Sequence, residues 1–204
     1  MEVTFGAKYI NGATVVKRPN RMPIKVDAAI VELEPKNMGD WYALESFTEE
    51  CSQNNKKSNY ATNICKSFNR MIDENIVDKN LHHYMLTVQQ SDFENLDPEK
   101  VLGAFMVADK IKLSPKRKQS LGVKTEYVAK IRFLQGLPKN YYENIDREYS
   151  RTGQAMTDFV KSEYTDGDIV VHVDKSEIPF YVAQDFKQSL NPSASDMMIH
   201  HQKA

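Results

Sequence analysis

The chain has 204 residues, of which 41% are hydrophobic and 27% charged, with a net charge of −1. That length is ample for a packed core, and the composition excludes a disordered or collagen-like chain. The balanced charge gives no global attraction to nucleic acid or to an anionic membrane, so neither is expected as a partner.

The start, "MEVTFGAKYINGATVVKR", has no apolar run of signal length, and no segment reaches the roughly 18 apolar residues of a membrane helix. The two cysteines, Cys51 and Cys65, share no metal or redox spacing. They are expected to stay reduced, in a soluble, cytoplasmic protein.

The first element is "KYINGATVV". Asn11-Gly12 followed by β-branched residues predicts a small hairpin over about residues 3–17, turned at Asn11-Gly12. Residues 1–22 then form an N-terminal hairpin extension. "IKVDAAIVEL" reads as a strand. "EPKNMGDWYALESFTEEC" reads as a helix capped by Asn37 or Asp40, with Trp41, Leu44 and Phe47 on one face. A second helix follows, its stripe formed by Ala61, Ile64, Cys65, Phe68, Met71 and Ile72.

The period then changes to strands. "HHYMLTVQQ", "KVLGAFMVADKIKL" and "TEYVAKIRFLQGL" follow one another closely, which favours an antiparallel meander. "SPKRKQSLG" between the last two reads as a charged, solvated turn, with contact of Lys110, Lys112, Lys116, Arg117 and Lys118 to a phosphate or an acidic substrate as the other reading, and "NYYENIDREYS" as a loop or short helical piece. "TGQAMTDFVKSEY" is a helix with Met156, Phe159, Val160 and Tyr164 on one face. "GDIVVHVD" is a strand, "SEIPFYVAQDF" a short helix, and residues 189–204 a polar C-terminal tail with no role for His200 and His201. The expected fold class is α/β (α+β), a mixed and mostly antiparallel central sheet flanked by helices.

This order, with the motifs of the last third, resembles the GNAT superfamily of acetyl-CoA-dependent N-acetyltransferases over roughly residues 26–186. "SRTGQAMTDFV" is similar to the family's glycine-containing turn, which opens a helix and cradles the CoA pyrophosphate. "IVVHVDKSEIPFYVAQDF" is similar to its closing strand and Phe-Tyr helix. "KVLGAFMVAD" and "AKIRFLQGLP" resemble the two preceding strands. The domain implied spans residues 23–188.

In the preferred register Gly153 matches the second glycine of the turn, and Arg151 stands where the first would be. The other register makes Gly153 the first glycine and puts Asp158 at an apolar helix position. Glu148 stands where the family leads with Arg or Gln, and Asp185 where it has a glycine before the last Phe.

The physics of such a turn is independent of the resemblance. The first N–H groups of a helix lack intrahelical partners and lie at its positive end, so a pyrophosphate fits there. The resemblance assigns this to Arg151, Thr152, Gly153, Gln154 and Ala155, and the pantetheine arm to the backbone at Leu134 and Gln135. It makes Tyr181 the proton donor to the leaving thiolate, a role open to a phenol that is neutral at pH 7. Asp109 and Glu126 are candidates for a base, with solvent-exposed strand-end residues as the plainer reading.

The implied co-substrate is acetyl-CoA and the implied partner an amine acceptor of unknown class; no metal is expected. The alternative is a non-catalytic binding protein of the same fold. In it the N-terminal hairpin edge would serve a protein partner or a homodimer.

Overall fold

The computed structural model describes residues 7–19, 22–54, 60–74, 78–93, 95–141, 144–189, 191 and 194–202. Nine strands are present among them: β1 (Lys8–Lys17), β2 (Ile24–Glu32), β3 (Leu81–Val88), β4 (Val101–Lys112), β5 (Tyr127–Gly136), β6 (Tyr149–Ser150), β7 (Asp168–His172), β8 (Lys187–Gln188) and β9 (Met197–His200). The helices are α1 (Met38–Asn54), α2 (Tyr60–Asp73), α3 (Pro115–Leu121), α4 (Thr152–Glu163) and α5 (Ile178–Ala183). The sheet order is β6-β1-β2-β3-β4-β5-β7-β9-β8, mixed and mostly antiparallel, with β5 and β7 parallel. No helix among the described residues is long and apolar enough to cross a membrane.

The chain divides into two compact units. The first comprises residues 1–106 and 133–156, and the second residues 107–132 and 157–204.

In the first unit the N-terminal hairpin exists, but its strands are β1 and β2. Asn11 and Gly12 lie inside β1, paired with Ile30 and Ala29, next to a register shift between Tyr9 and Asn11. Neither takes the positive φ that a type I′ turn needs. The physical reason is the longer ladder: β1 pairs from Lys8 to Lys17 and buries Val15 and Val16, which a turn at Asn11-Gly12 would forfeit. Residues 3–6 of the expected hairpin lie outside the described residues.

Helix α1 is capped by Asn37, whose Oδ1 accepts the Gly39 N–H at 2.8 Å. Asp40 lies just inside the helix and is fully buried. Its Oδ2 accepts the Glu34 N–H at 2.7 Å, and its Oδ1 the Asn37 amide at 3.2 Å. The core beneath α1 and α2 joins Leu44, Phe47, Ala61, Ile64 and Phe68 to Val31, Met85 and Ala104 of the sheet. Trp41 packs at its margin and donates its Nε1–H to Asn69 Oδ1 at 2.9 Å.

In the second unit "SPKRKQSL" is helix α3, not a turn. Ser114 accepts the Arg117 N–H, Pro115 opens the first turn, and Gly122 closes the helix at φ 74°. Leu121 packs with Val128, Val170, Met197 and Ile199. The polar tail is also corrected. Strand β9 buries Met197, Met198 and Ile199 and pairs with β7 and β8. Beyond it, Gln202 donates to the Lys161 and Tyr164 carbonyls at the end of α4, both at 3.0 Å. His201 Nδ1 lies 3.2 Å from Asp168 Oδ1. Three apolar residues in "MMIH" carried that strand signal.

Two outcomes follow from the packing. A Cβ at Gly103 would come within 2.9 Å of Met156 Sδ and 3.0 Å of the Gln135 carbonyl oxygen. The thioether can shift but the backbone oxygen cannot, so Gly103→Ala should cost about 1–3 kcal/mol in denaturant unfolding. Burial pushes the Asp40 carboxyl up to about 7, against the pull of the Glu34 and Ala7 amides. A raised carboxyl contributes stability that is fully present below its unfolded value of about 4 and lost as pH rises through the folded one. Asp40→Asn should therefore flatten the fall in unfolding free energy between about pH 4 and pH 8; an unchanged slope would refute the assignment.

Candidate active site

Strand β5 pairs with β7 from Val128↔Asp168 to Ile131↔Val171 and then runs on to Gly136. Its last residues, with the start of α4, belong to the first unit. Here the Gln135 carbonyl faces Gly103 of β4, and the Leu137 N–H donates to the Leu102 carbonyl at 3.1 Å. Successive peptide groups of a strand point to opposite edges. The Leu134 N–H therefore points away from β4, whereas Gln135 turns its backbone toward it. Of the two residues expected at the pantetheine arm, Leu134 has its amide on the outer edge. Gln135 instead uses its buried side chain: Nε2 donates to the Gly136 carbonyl at 2.8 Å and to the Tyr141 hydroxyl. Tyr141 was not legible from sequence, because the pairing depends on how the chain turns at Pro138–Asn140.

The end of β5 meets the start of α4. A Cβ built on Gly136 would lie 3.4 Å from Thr152 Oγ1 and 3.8 Å from Tyr141 Cε1. Thr152 is the first residue of α4, with Gly153 and Gln154 in the first turn. Ala155 gives its N–H to the Arg151 carbonyl at 2.9 Å, which leaves it out of the donor set. Arg151 itself sits at φ 64°, the left-handed region that favours glycine. Arg151 is the residue that stands at the first glycine position in the preferred register. Gly153 is not among the positive-φ residues.

Strand β6 feeds this turn and fastens it. Val16 and Lys17 pair with Ser150 and Tyr149, and the Arg18 N–H donates to the Glu148 carbonyl at 2.8 Å. The Glu148 carboxylate pairs with Lys17 Nζ at 3.2 Å. Asn140 Oδ1 accepts the Tyr149 N–H at 2.9 Å, closing the loop between β5 and β6 at its neck.

Tyr181 lies in the second unit, on α5, buried and edge-on to Phe180 and Phe186, with ring centroids 4.9 and 5.3 Å away. The end of α5 is a Schellman motif. The Phe186 N–H donates to the Tyr181 carbonyl at 3.0 Å and the Asp185 N–H to the Val182 carbonyl at 3.1 Å. The apolar contact that goes with such a cap is Tyr181 against Phe186. Asp185, at the position of the family's glycine, has φ 65°. Thr157 Oγ1 of α4 donates to Gln184 Oε1 at 3.3 Å, beside this cap.

The other singled-out residues have local partners. Glu126 is exposed and pairs with Lys112 at 2.9 Å, which pulls its carboxyl below the usual range and makes it a poor base. Asp109 lies 3.9 Å from Lys110 Nζ. His83 is buried against Phe68 and 3.1 Å from Ser67 Oγ, and burial pushes its imidazole down to about 4. His82 Nδ1 lies 2.6 Å from Glu32 Oε1. Tyr42 is exposed. Cys51 and Cys65 are buried and free, and burial pushes the Cys51 thiol up to about 12. Among the described residues no group of three or more His, Cys, Asp and Glu could hold a metal.

No protein-family model matches the chain, and no curated protein matches it. Solved structures do. A mutant of the AtaT toxin bound to the C-terminus of the antitoxin AtaR has a TM-score of 0.56 at 11% identity, over 85% of this chain and 92% of that one. The same pair with acetyl-CoA gives 0.52 at 9% identity, over 86% and 93%. The Bacillus subtilis N-acetyltransferase YlbP in complex with coenzyme A gives 0.47 at 15% identity, over 78% and 90%. The chain thus has a GNAT-like fold, of a divergent kind.

Two of the left-handed non-glycine residues, Arg151 and Asp185, are directly testable. Relieving left-handed strain is worth about 1 kcal/mol per residue. Arg151→Gly and Asp185→Gly should each raise unfolding free energy by about that amount; a loss in both would mean that their side chains, not their backbones, hold these turns.

Proposed function

We propose that the chain is an N-acetyltransferase that carries an acetyl group from acetyl-CoA to an amine acceptor. The observation that carries this reading is the junction in the first unit, where the end of β5 meets the first residue of α4. An outward Leu134 N–H and a helix N-terminus together suit a ligand with an amide-bearing arm and an anionic head. The ion pair of Glu148 with Lys17 also supports it, because that carboxylate is balanced by a cation.

Acetyl-CoA would supply the thioester. The Leu134 N–H would hold the arm, and the backbone at Arg151, Thr152, Gly153 and Gln154 would face the pyrophosphate. Tyr181 enters through the resemblance: its hydroxyl would give a proton to the departing thiolate sulfur. AtaT, a neighbour above a TM-score of 0.5, is seen with acetyl-CoA and with a protein segment. The second reading is therefore a binding protein whose partner is a peptide.

Calorimetric titration with acetyl-CoA and with CoA separates the two. One-site binding in the micromolar range supports the enzyme, and its absence favours the binding protein. Tyr181→Phe should keep stability within about 1.5 kcal/mol, the worth of one hydroxyl hydrogen bond, while lowering turnover at least tenfold with CoA affinity unchanged. Full activity in that variant would remove Tyr181 from the mechanism.

A further inference from the structure

The balanced net charge conceals a strong asymmetry. Residues 110–132 hold eight lysines and arginines and a single acid, Glu126, in a chain whose net charge is −1. Part of this charge is neutralised locally, since Lys112 pairs with Glu126 and Lys110 lies near Asp109. The other six have no ion pair among the described residues, and three of them, Arg117, Lys130 and Arg132, are brought to one face of the sheet. Lys130 and Arg132 are two apart on β5 and so share a face of the strand with Val128. Val128 packs against Leu121 of α3, which places that helix over the same face. Arg117 precedes Leu121 by four residues, about one helical turn, so the two lie on the same side of α3.

Lys130 is half-buried and Arg117 and Arg132 are exposed. Among the described residues none of the three pairs with a carboxylate. Burial holds the Lys130 ammonium below its usual range, and the charges of Arg132 and Arg117 push it the same way. Folding gains nothing from gathering two further cations around a half-desolvated lysine. Such a local penalty is expected where a ligand supplies the missing counter-charge.

We propose that Arg117, Lys130 and Arg132 form a binding site for a ligand carrying two or more phosphate groups. Two arginine forks match phosphate oxygens bidentately, and the lysine supplies a compact point charge between them. The inference stands independently of the proposed acetyl transfer. The phosphates could come from the nucleotide end of a CoA-type molecule or from a separate phosphorylated ligand.

The test is calorimetric titration of the full chain with inorganic tripolyphosphate, in wild type, Lys130→Met and an Arg117→Gln/Arg132→Gln double variant. Wild type should bind, more weakly as salt is raised, and each variant should lose at least tenfold in affinity. Lys130→Met keeps the apolar stem and removes the charge, so its melting temperature without ligand should rise. No binding by wild type, equal binding by the variants, or a lower melting temperature for Lys130→Met would overturn the proposal. Competition by adenosine 3′,5′-bisphosphate assigns the site to the nucleotide end of a CoA-type molecule; simultaneous binding assigns it to a separate ligand.

Discussion

The seat that Gly103 offers to Met156 decides where helix α4 begins. With no Cβ on β4 at that point, the thioether and the Gln135 carbonyl both close on the backbone, and a side chain would be driven to about 3 Å from each. The first turn of α4 then lies against the end of β5, where Gly136 faces Thr152. The buried Gln135 side chain locks the same corner by bonding Gly136 and Tyr141. An amide on a strand edge and the positive end of a helix are thereby held in one compact unit.

Backbone strain is the second theme. Arg151 and Asp185 hold left-handed conformations that cost a side-chain-bearing residue about 1–2 kcal/mol each. Each is over-determined by its surroundings. Around Arg151 these are the β1–β6 pairing, the Arg18–Glu148 backbone bond and the Asn140 latch. Around Asp185 they are both hydrogen bonds of the Schellman cap and the edge-on contact of Tyr181 with Phe186. Strain of this kind persists where the neighbouring structure leaves the chain no other path.

Charge is placed with similar disregard for local comfort. Asp40 is buried among backbone amides at the entrance to α1, and Lys130 is half-buried beside two arginines. The first has a structural reason, since its carboxylate joins the Glu34 and Asn37 ends of one loop. The second has no carboxylate partner among the described residues, which leaves its counter-charge to the phosphate ligand proposed above.

The sequence by itself determined the helices other than α3, and the central strands, because period and caps are local properties. Asn37 before α1, the apolar stripe of α2, the Phe-Tyr helix and the meander of β3, β4 and β5 were all legible. So was the likeness of the last third to the GNAT family, which led to Leu134, Gln135, the turn at Arg151–Ala155 and Tyr181. Tertiary structure decided the rest. The Asn11-Gly12 signal lost to a longer ladder with β2, and a tail that reads as polar became a strand because β7 offered it an edge. Which peptide of Leu134 and Gln135 faces outward depends on the register with β4, which no local pattern carries. The placing of Arg117 on the side of α3 that carries Leu121 likewise required "SPKRKQSL" to fold as a helix packed on β5, a contact of Leu121 with Val128 that no local pattern announced.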